Sequence, residues 1–477
     1  MKVTKWAWGA ALAAALWGRD ASAQQDEYYR DAAPRLGGAE AAISDDEGET
    51  SYASTPVVAQ PTAYGVAGEE ACASECDCGP CCYPLADLGE AWKIFDGCFF
   101  QERSINAGGW LAQSFTWNPY SPNDRFNGPM TWTDRSNEYQ MNEFYFYFGK
   151  AANTEGCGWD FGYRADLLYG SNYRWTTAGG LETNFGMNGD FYGLALPQFY
   201  AEIAHDDITV KLGHFLSPVG YFAVGTANNF FPVLPYTFQY GEPFTHTGAL
   251  ATWKVNDKIT WGNGFTRGWD NFDSTGNPNL GYLGTLTYTR DNGDTLAWVG
   301  TYGREPNLTG ANFNPQRGVG FSSRYLQTLV YTKKFDEDTT WILQSDFGNQ
   351  GEANLRNGGD ARWYGINTYL LWNQTCRLQW GANFEWFRDE GGARVGAALP
   401  SFGSPNARGY PQAAGFDGSF YAVTVGPKYF FTPNMYTRAA FRADWYDGTR
   451  NLTNNMPFDD GTRTHQQLVV FDLVLTF

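Results

Sequence analysis

The feature that most constrains this chain is a two-residue alternation that starts near Asn106 and runs to Phe477. In residues 159–169, Trp159, Phe161, Tyr163, Ala165 and Leu167 alternate with Asp160, Arg164 and Asp166. In residues 376–388, Leu378, Trp380, Ala382, Phe384 and Trp386 alternate with Arg377, Gln379, Asn383 and Glu385. In residues 435–447, Met435, Thr437, Ala439, Phe441, Ala443 and Trp445 alternate with Tyr436, Arg438, Arg442, Asp444 and Tyr446. Side chains along a strand point alternately to opposite faces. Each segment therefore carries one ionised face and one aromatic face. A β-sandwich would also alternate. These segments, however, run to about 10–13 residues, the length a tilted strand needs to cross a bilayer.

The connections support a barrel. Sixteen strands are predicted, near 106–118, 142–150, 157–169, 191–204, 207–215, 244–254, 258–268 and 280–290, then 294–303, 324–335, 339–348, 362–373, 376–388, 418–430, 434–446 and 464–477. Strand ends blur by a few residues, so fourteen to eighteen strands fit. Short connections carry turn residues, such as Asp206-Asp207, Asn256-Asp257, Asp291-Asn292-Gly293-Asp294 and Thr432-Pro433-Asn434. They alternate with long ones, such as 119–141, 216–243, 304–323, 389–417 and 447–463. Short turns at one rim and long loops at the other define a transmembrane antiparallel up-and-down β-barrel, an all-β fold with both termini at the short-turn rim.

A different regime precedes the barrel. Lys2 and Lys5, an apolar run from Ala7 to Trp17, and Ala21-Ser22-Ala23 read as a cleaved export signal over residues 1–23. Residues 24–84 read as a disordered acidic leader, poor in large apolar side chains. Between Gln24 and Cys98 there are fifteen acidic and three basic residues, a balance that excludes nucleic acid as a partner. Five of the eight cysteines, Cys72, Cys76, Cys78, Cys81 and Cys82, crowd into this leader. Their spacing, without a histidine nearby, does not match a routine zinc site, so disulfides are expected and no metal or other cofactor is. In the lead-in segment 85–105, Leu85, Leu88 and Trp92 share a helical face, which predicts a short amphipathic helix over 85–98.

Mean hydropathy is −0.44, and 17% of residues are aromatic. That mixture suits a wall with lipid on one side and water on the other. The alternation makes Arg164, Asp166, Lys211, Arg377, Glu385, Arg438, Arg442 and Asp444 candidates to line the lumen. The connection 216–243 is long, aromatic and nearly uncharged, with Glu242 its only carboxylate side chain. A loop exposed to water would be more polar, so it is expected to fold into the barrel and narrow it. Tyr221, Phe222, Asn228, Asn229 and Tyr236 are its candidate constriction residues. Packing on the rim or in a subunit interface is the alternative. No catalytic residues are assigned. The four histidines, His205, His214, His246 and His465, accompany no G-x-S-x-G or H-E-x-x-H pattern.

Several blocks also carry a resemblance: NGPMTWTDRSNEYQMNEFYFYFGK (127–150), WDFGYRADLLYGSNYRW (159–175), LALPQFYAEIAHDDITVKLGHFLSPVGY (194–221), YGEPFTHTGALATWKVNDKIT (240–260) and GFTRGWDNF (264–272). Over roughly 92–477 the chain resembles the second family of β-barrel porins of the outer membrane, of planctomycete type. The resemblance implies a porin fold and passive transport, and carries over no ligand or catalytic residues. The resulting expectation is an outer-membrane porin passing small polar solutes or ions, with its leader in the periplasm. The alternative is a closed barrel that binds or anchors the envelope without transport. The expected partners are outer-membrane lipid, the permeating solutes and the barrel assembly machinery, which would read the terminal strand ending in Phe477. A homo-oligomer is compatible with this reading.

Overall fold

The computed structural model describes residues 88, 90–184, 190–274, 277–306, 320–395 and 415–477. The signal 1–23, the leader 24–84 with Cys72, Cys76, Cys78, Cys81 and Cys82, and Leu85 lie outside these residues.

Sixteen strands follow one another: β1 (Asn106–Trp117), β2 (Tyr139–Lys150), β3 (Trp159–Gly170), β4 (Gly193–His205), β5 (Ile208–Leu216), β6 (Thr245–Lys254), β7 (Ile259–Thr266) and β8 (Gly281–Thr289). The second half holds β9 (Thr295–Pro306), β10 (Phe321–Lys334), β11 (Thr339–Gln350), β12 (Ala361–Asn373), β13 (Leu378–Glu390), β14 (Gly418–Thr432), β15 (Met435–Gly448) and β16 (His465–Thr476). Each pairs antiparallel with its sequence neighbours, and β1 pairs with β16, so the sheet closes on itself. Closure leaves no exposed edge, which lipid would not hydrogen-bond. The seam is completed at the terminus, where Gly109 N donates to Phe477 O at 2.8 Å and Phe477 N to Gly109 O at 2.9 Å.

The faces follow the alternation. Phe161 and Phe199 stand outward, 62% and 61% exposed. On β15, Phe441 and Trp445 point out, while Arg438, Ala440, Arg442 and Asp444 point in and are buried. Short turns gather at one rim, where the described chain also begins, and the long connections gather at the other.

Two sequence expectations need correction. Among the described residues no helix covers 88–97, and the helix found before the barrel is a single turn, α1 (Cys98–Gln101). The reason is tertiary: Trp92 N donates to Asn434 Oδ1 at 2.9 Å and Asn434 Nδ2 donates to Trp92 O at 2.9 Å. Those backbone groups are held by the β14–β15 turn instead of by a helical ladder. Leu88 packs against the cluster of Trp110, Tyr145, Phe430 and Tyr436. The second correction concerns the inner wall, which is not uniformly polar. Leu250, Leu283, Val299, Leu326 and Ile342 belong to one buried apolar cluster with residues of loop 217–244. The barrel has a hydrophobic core inside it.

The inward-folded loop and its clamps

Loop 217–244 connects β5 to β6 and turns into the barrel. Its root is closed by Ser217 N donating to Phe244 O at 2.9 Å. The His246 ring adds to the root: Nε2 lies 3.1 Å from Ser217 Oγ and Nδ1 lies 2.9 Å from Gly268 O. His214 Nδ1 instead meets Thr247 Oγ1 at 2.7 Å.

From that root the loop crosses to the far wall. Tyr221 N donates to Gln344 Oε1 on β11 at 2.8 Å. Phe222 packs against Trp132 and Phe238. The loop then dips toward the short-turn rim. Thr226 N donates to Glu143 on β2 at 3.0 Å, and Tyr436 O–H on β15 donates to Ala227 O at 3.0 Å. Asn228 closes a turn through its N–H to Gly225 O at 3.0 Å. Asn229 fastens the loop to itself, accepting Ala223 N at 2.8 Å and returning a bond to Ala223 O at 2.8 Å. Glycines in the wall make room. A Cβ at Gly381 would run into the Phe230 ring, and one at Gly365 would meet Thr237.

Two arginines of β15 hold the returning limb. Arg438 donates to Thr226 O at 2.9 Å and Asn229 O at 2.7 Å while its other nitrogens pair with Asp472. Arg442 pairs with Glu385 at 2.7 Å and Asp444 at 2.8 Å and donates to Leu234 O at 3.3 Å. Tyr236 completes this network: its N–H donates to Glu385 and its hydroxyl to Asp444 Oδ1 at 3.0 Å. Glu385, Arg438, Arg442 and Asp444 are at most 2% exposed. Buried charges persist only when paired and hydrogen-bonded, and here the pairing runs through the loop backbone.

Above this, Arg394 Nε donates to Tyr240 O at 2.6 Å, and its guanidinium lies 5.0 Å from the Trp269 ring and 4.7 Å from Trp363. Trp363 Nε1 reaches Gly241 O at 3.0 Å. At the loop's end, Gln344 Nε2 bridges Glu242 Oε1 at 2.6 Å and Asp346 at 3.0 Å. Burial, then the Asp346 carboxyl, holds the Glu242 carboxyl well above the usual carboxylate range. Gly220, with φ +81°, lies where a Cβ would collide with Glu242.

The remaining predicted lumen charges are placed differently. Arg164 pairs with buried Asp166 and lies 4.3 Å over Tyr147 on the inner face. Lys211 is 3.7 Å from Glu202 and 4.9 Å over Tyr200. Arg377 departs from expectation. It sits in the β12–β13 turn and donates to Phe431 O at 2.8 Å, because β13 starts one residue later.

A sequence-family description, "Putative beta-barrel porin-2, OmpL-like", matches residues 104–477. The chain belongs to this family. No curated protein matches the sequence. Among solved structures it is similar to an anion-selective porin from Comamonas acidovorans, with TM-score 0.49 and 8% identity, covering 78% of this chain and 99% of that one. It is also similar to OmpT of Vibrio cholerae, with TM-score 0.48, 8% identity and coverage of 78% and 97%. A third likeness is to OprB of Pseudomonas putida, with TM-score 0.48, 10% identity and coverage of 80% and 96%. These likenesses are distant, and the barrel stands on this porin's own strand pairing.

Residues of this porin that sequence reasoning missed are Gln344, Trp363 and Arg394. Gln344, two residues from Asp346 on the inner face of β11, and Trp363, among uncharged inner-face neighbours on β12, carry no charge themselves, so no charge alternation singles them out. Arg394 lies in a connection whose approach to Tyr240 spans 154 residues of sequence.

Proposed function

We propose that this porin is a diffusion channel for small polar solutes, narrowed by loop 217–244. The observation that carries the reading is where the loop is held. Its described hydrogen bonds to the wall go to β2, β11, β12, β13 and β15, with the root on β6. The inner faces of β7–β9 offer Thr260, Gly262, Thr285, Thr287 and Thr301 beside the apolar Leu283, Ala297 and Val299, all of them uncharged. A path along that wall would present hydroxyls on one side and the loop aromatics on the other. Such a path weakly discriminates charge, since ion preference comes from charged rings. The strongest inner charges would then serve to hold the loop. The short-turn rim would face the periplasm and the long loops the exterior.

The apolar cluster that joins the loop to Leu250, Leu283 and Val299 favours one other reading, a sealed barrel that anchors the envelope. Swelling of liposomes holding the purified full chain separates the two. The channel predicts entry of neutral sugars at rates that fall steeply with sugar size and change little with solute charge. Liposomes that stay tight to every sugar would establish the sealed barrel.

A further inference from the structure

Lys428 stands on the inner face of β14 and is 4% exposed. Its ammonium lies 4.1 Å over the Tyr436 ring and 4.9 Å over the Phe430 ring. Among the described residues the side chain makes no hydrogen bond and no ion pair. Arg438 and Arg442, on the same part of the wall, are both paired. Ring faces attract a cation, but an ammonium also carries three N–H donors and no acceptor. A buried charge whose donors go unmet is costly.

The neighbours of Lys428 narrow what it lacks. Strand register places Gln379 of β13 beside it on one side and Arg438 of β15 on the other, with Asp472 of β16 next in the row. Asp472 gives both carboxylate oxygens to Arg438. The other carboxylate near the loop tip, Glu143, accepts from Trp110 Nε1 at 2.7 Å, Asn172 Nδ2 at 2.8 Å and Thr226 N at 3.0 Å. Neither bonds to Lys428. Gln379 is 5% exposed, and its side-chain amide also makes no hydrogen bond among the described residues. The two unmet side chains are thus direct cross-strand neighbours, with Cβ atoms about 4.5–5.5 Å apart. They lie beside the tip of the inner loop, where Tyr436 donates to Ala227 O and Arg438 to Asn229 O. Ala227 and Asn228 are half-buried while the residues on either side are buried, so water reaches the tip.

We propose that Lys428 and Gln379 form a binding site for a small monocarboxylate inside the barrel, beside the tip of loop 217–244. One negative charge answers the ammonium, the one charge of this row without a hydrogen-bonded counter-ion. Two oxygens let the ligand accept from the ammonium and from the amide together. Water would satisfy the N–H groups but brings no charge. Phe430 and Tyr436 offer an apolar surface for a short alkyl group. The site lies on β13 and β14, away from the β7–β9 wall proposed as the path, so it goes beyond the diffusion reading.

The test is saturation-transfer NMR with acetate and the full chain folded in a nonionic detergent. Irradiating the protein's aromatic protons is expected to transfer saturation to the acetate methyl group. The transfer should saturate with acetate concentration and persist when sodium chloride is added to equal concentration. Lys428→Met keeps an apolar stem without the charge and should abolish the transfer. Gln379→Leu leaves the charge in place and should weaken acetate binding about tenfold, a second reading should the first variant not fold. No transfer to acetate in the wild-type protein overturns the proposal. So does equal transfer in Lys428→Met, or loss of the transfer to equimolar chloride, which would make the site one for any small anion. The readout needs a folded barrel but no current, so it fails or succeeds separately from the channel reading.

Discussion

Replacing Arg442 by alanine is expected to release the inner loop and to lower the unfolding midpoint of the detergent-folded protein. The guanidinium lies between Glu385 and Asp444, both buried, and also donates to Leu234 O. Its loss leaves two buried carboxylates without their shared counter-ion. Removing one partner of a buried ion pair costs about 3–5 kcal/mol. None of the barrel's backbone ladder runs through that side chain, so the loop should detach while the sheet remains closed. Urea unfolding followed by tryptophan fluorescence checks the first part, and a larger unit conductance checks the second. Arg442→Lys keeps the charge but loses the planar fork, so it should fall between the two. An Arg442→Ala protein with unchanged midpoint and unchanged conductance would show that the clamp does not hold the loop.

Arginine at Ala439 is expected to depress folded yield in lipid vesicles. Ala439 points outward beside Phe471 and Phe441, and arginine on the lipid face of a barrel strand costs about 2–4 kcal/mol near the bilayer midplane. Its neighbour Ala440 points inward, and alternation alone would place it against water. The structure puts it at 0% exposure in the inner core, between Arg438 and Arg442 on the same face. Ala440→Arg should therefore also fold poorly, through crowding and like charge. The two costs can be told apart by deleting loop residues Val219 to Tyr240. Without the loop, Ala440→Arg should recover its yield and Ala439→Arg should not. Recovery of Ala439→Arg would reverse the face assignment of β15.

The difference at Ala440 marks the boundary of what the sequence made legible. Alternation is local, so the strands and their two faces could be read along the chain, with a count of about sixteen, and the resemblance reached the same porin fold. The inward turn of loop 217–244 was also legible, because so long and uncharged a stretch is poorly suited to water. What fills the inside was not. Arg438 reads as a lumen charge, yet its partner Thr226 lies 212 residues away and the bond is made to a backbone carbonyl. No pattern of side chains encodes such a contact. Leu283 and Val299 face inward on strands whose threonines suggest a wet wall, and only the loop's position explains their burial. The lead-in segment failed in the opposite sense. Its helical periodicity is real, but two bonds to Asn434 hold the backbone of Trp92 outside the helical ladder that the periodicity predicts.

The central claim, that the inner loop limits a conducting barrel, is tested most directly by single-channel current in a planar bilayer. The full chain should insert with ohmic open steps at low voltage. The same chain lacking Val219 to Tyr240, closed with a Gly-Ser link, should show steps several-fold larger. Equal steps from the two proteins, or no current from either, would contradict the account.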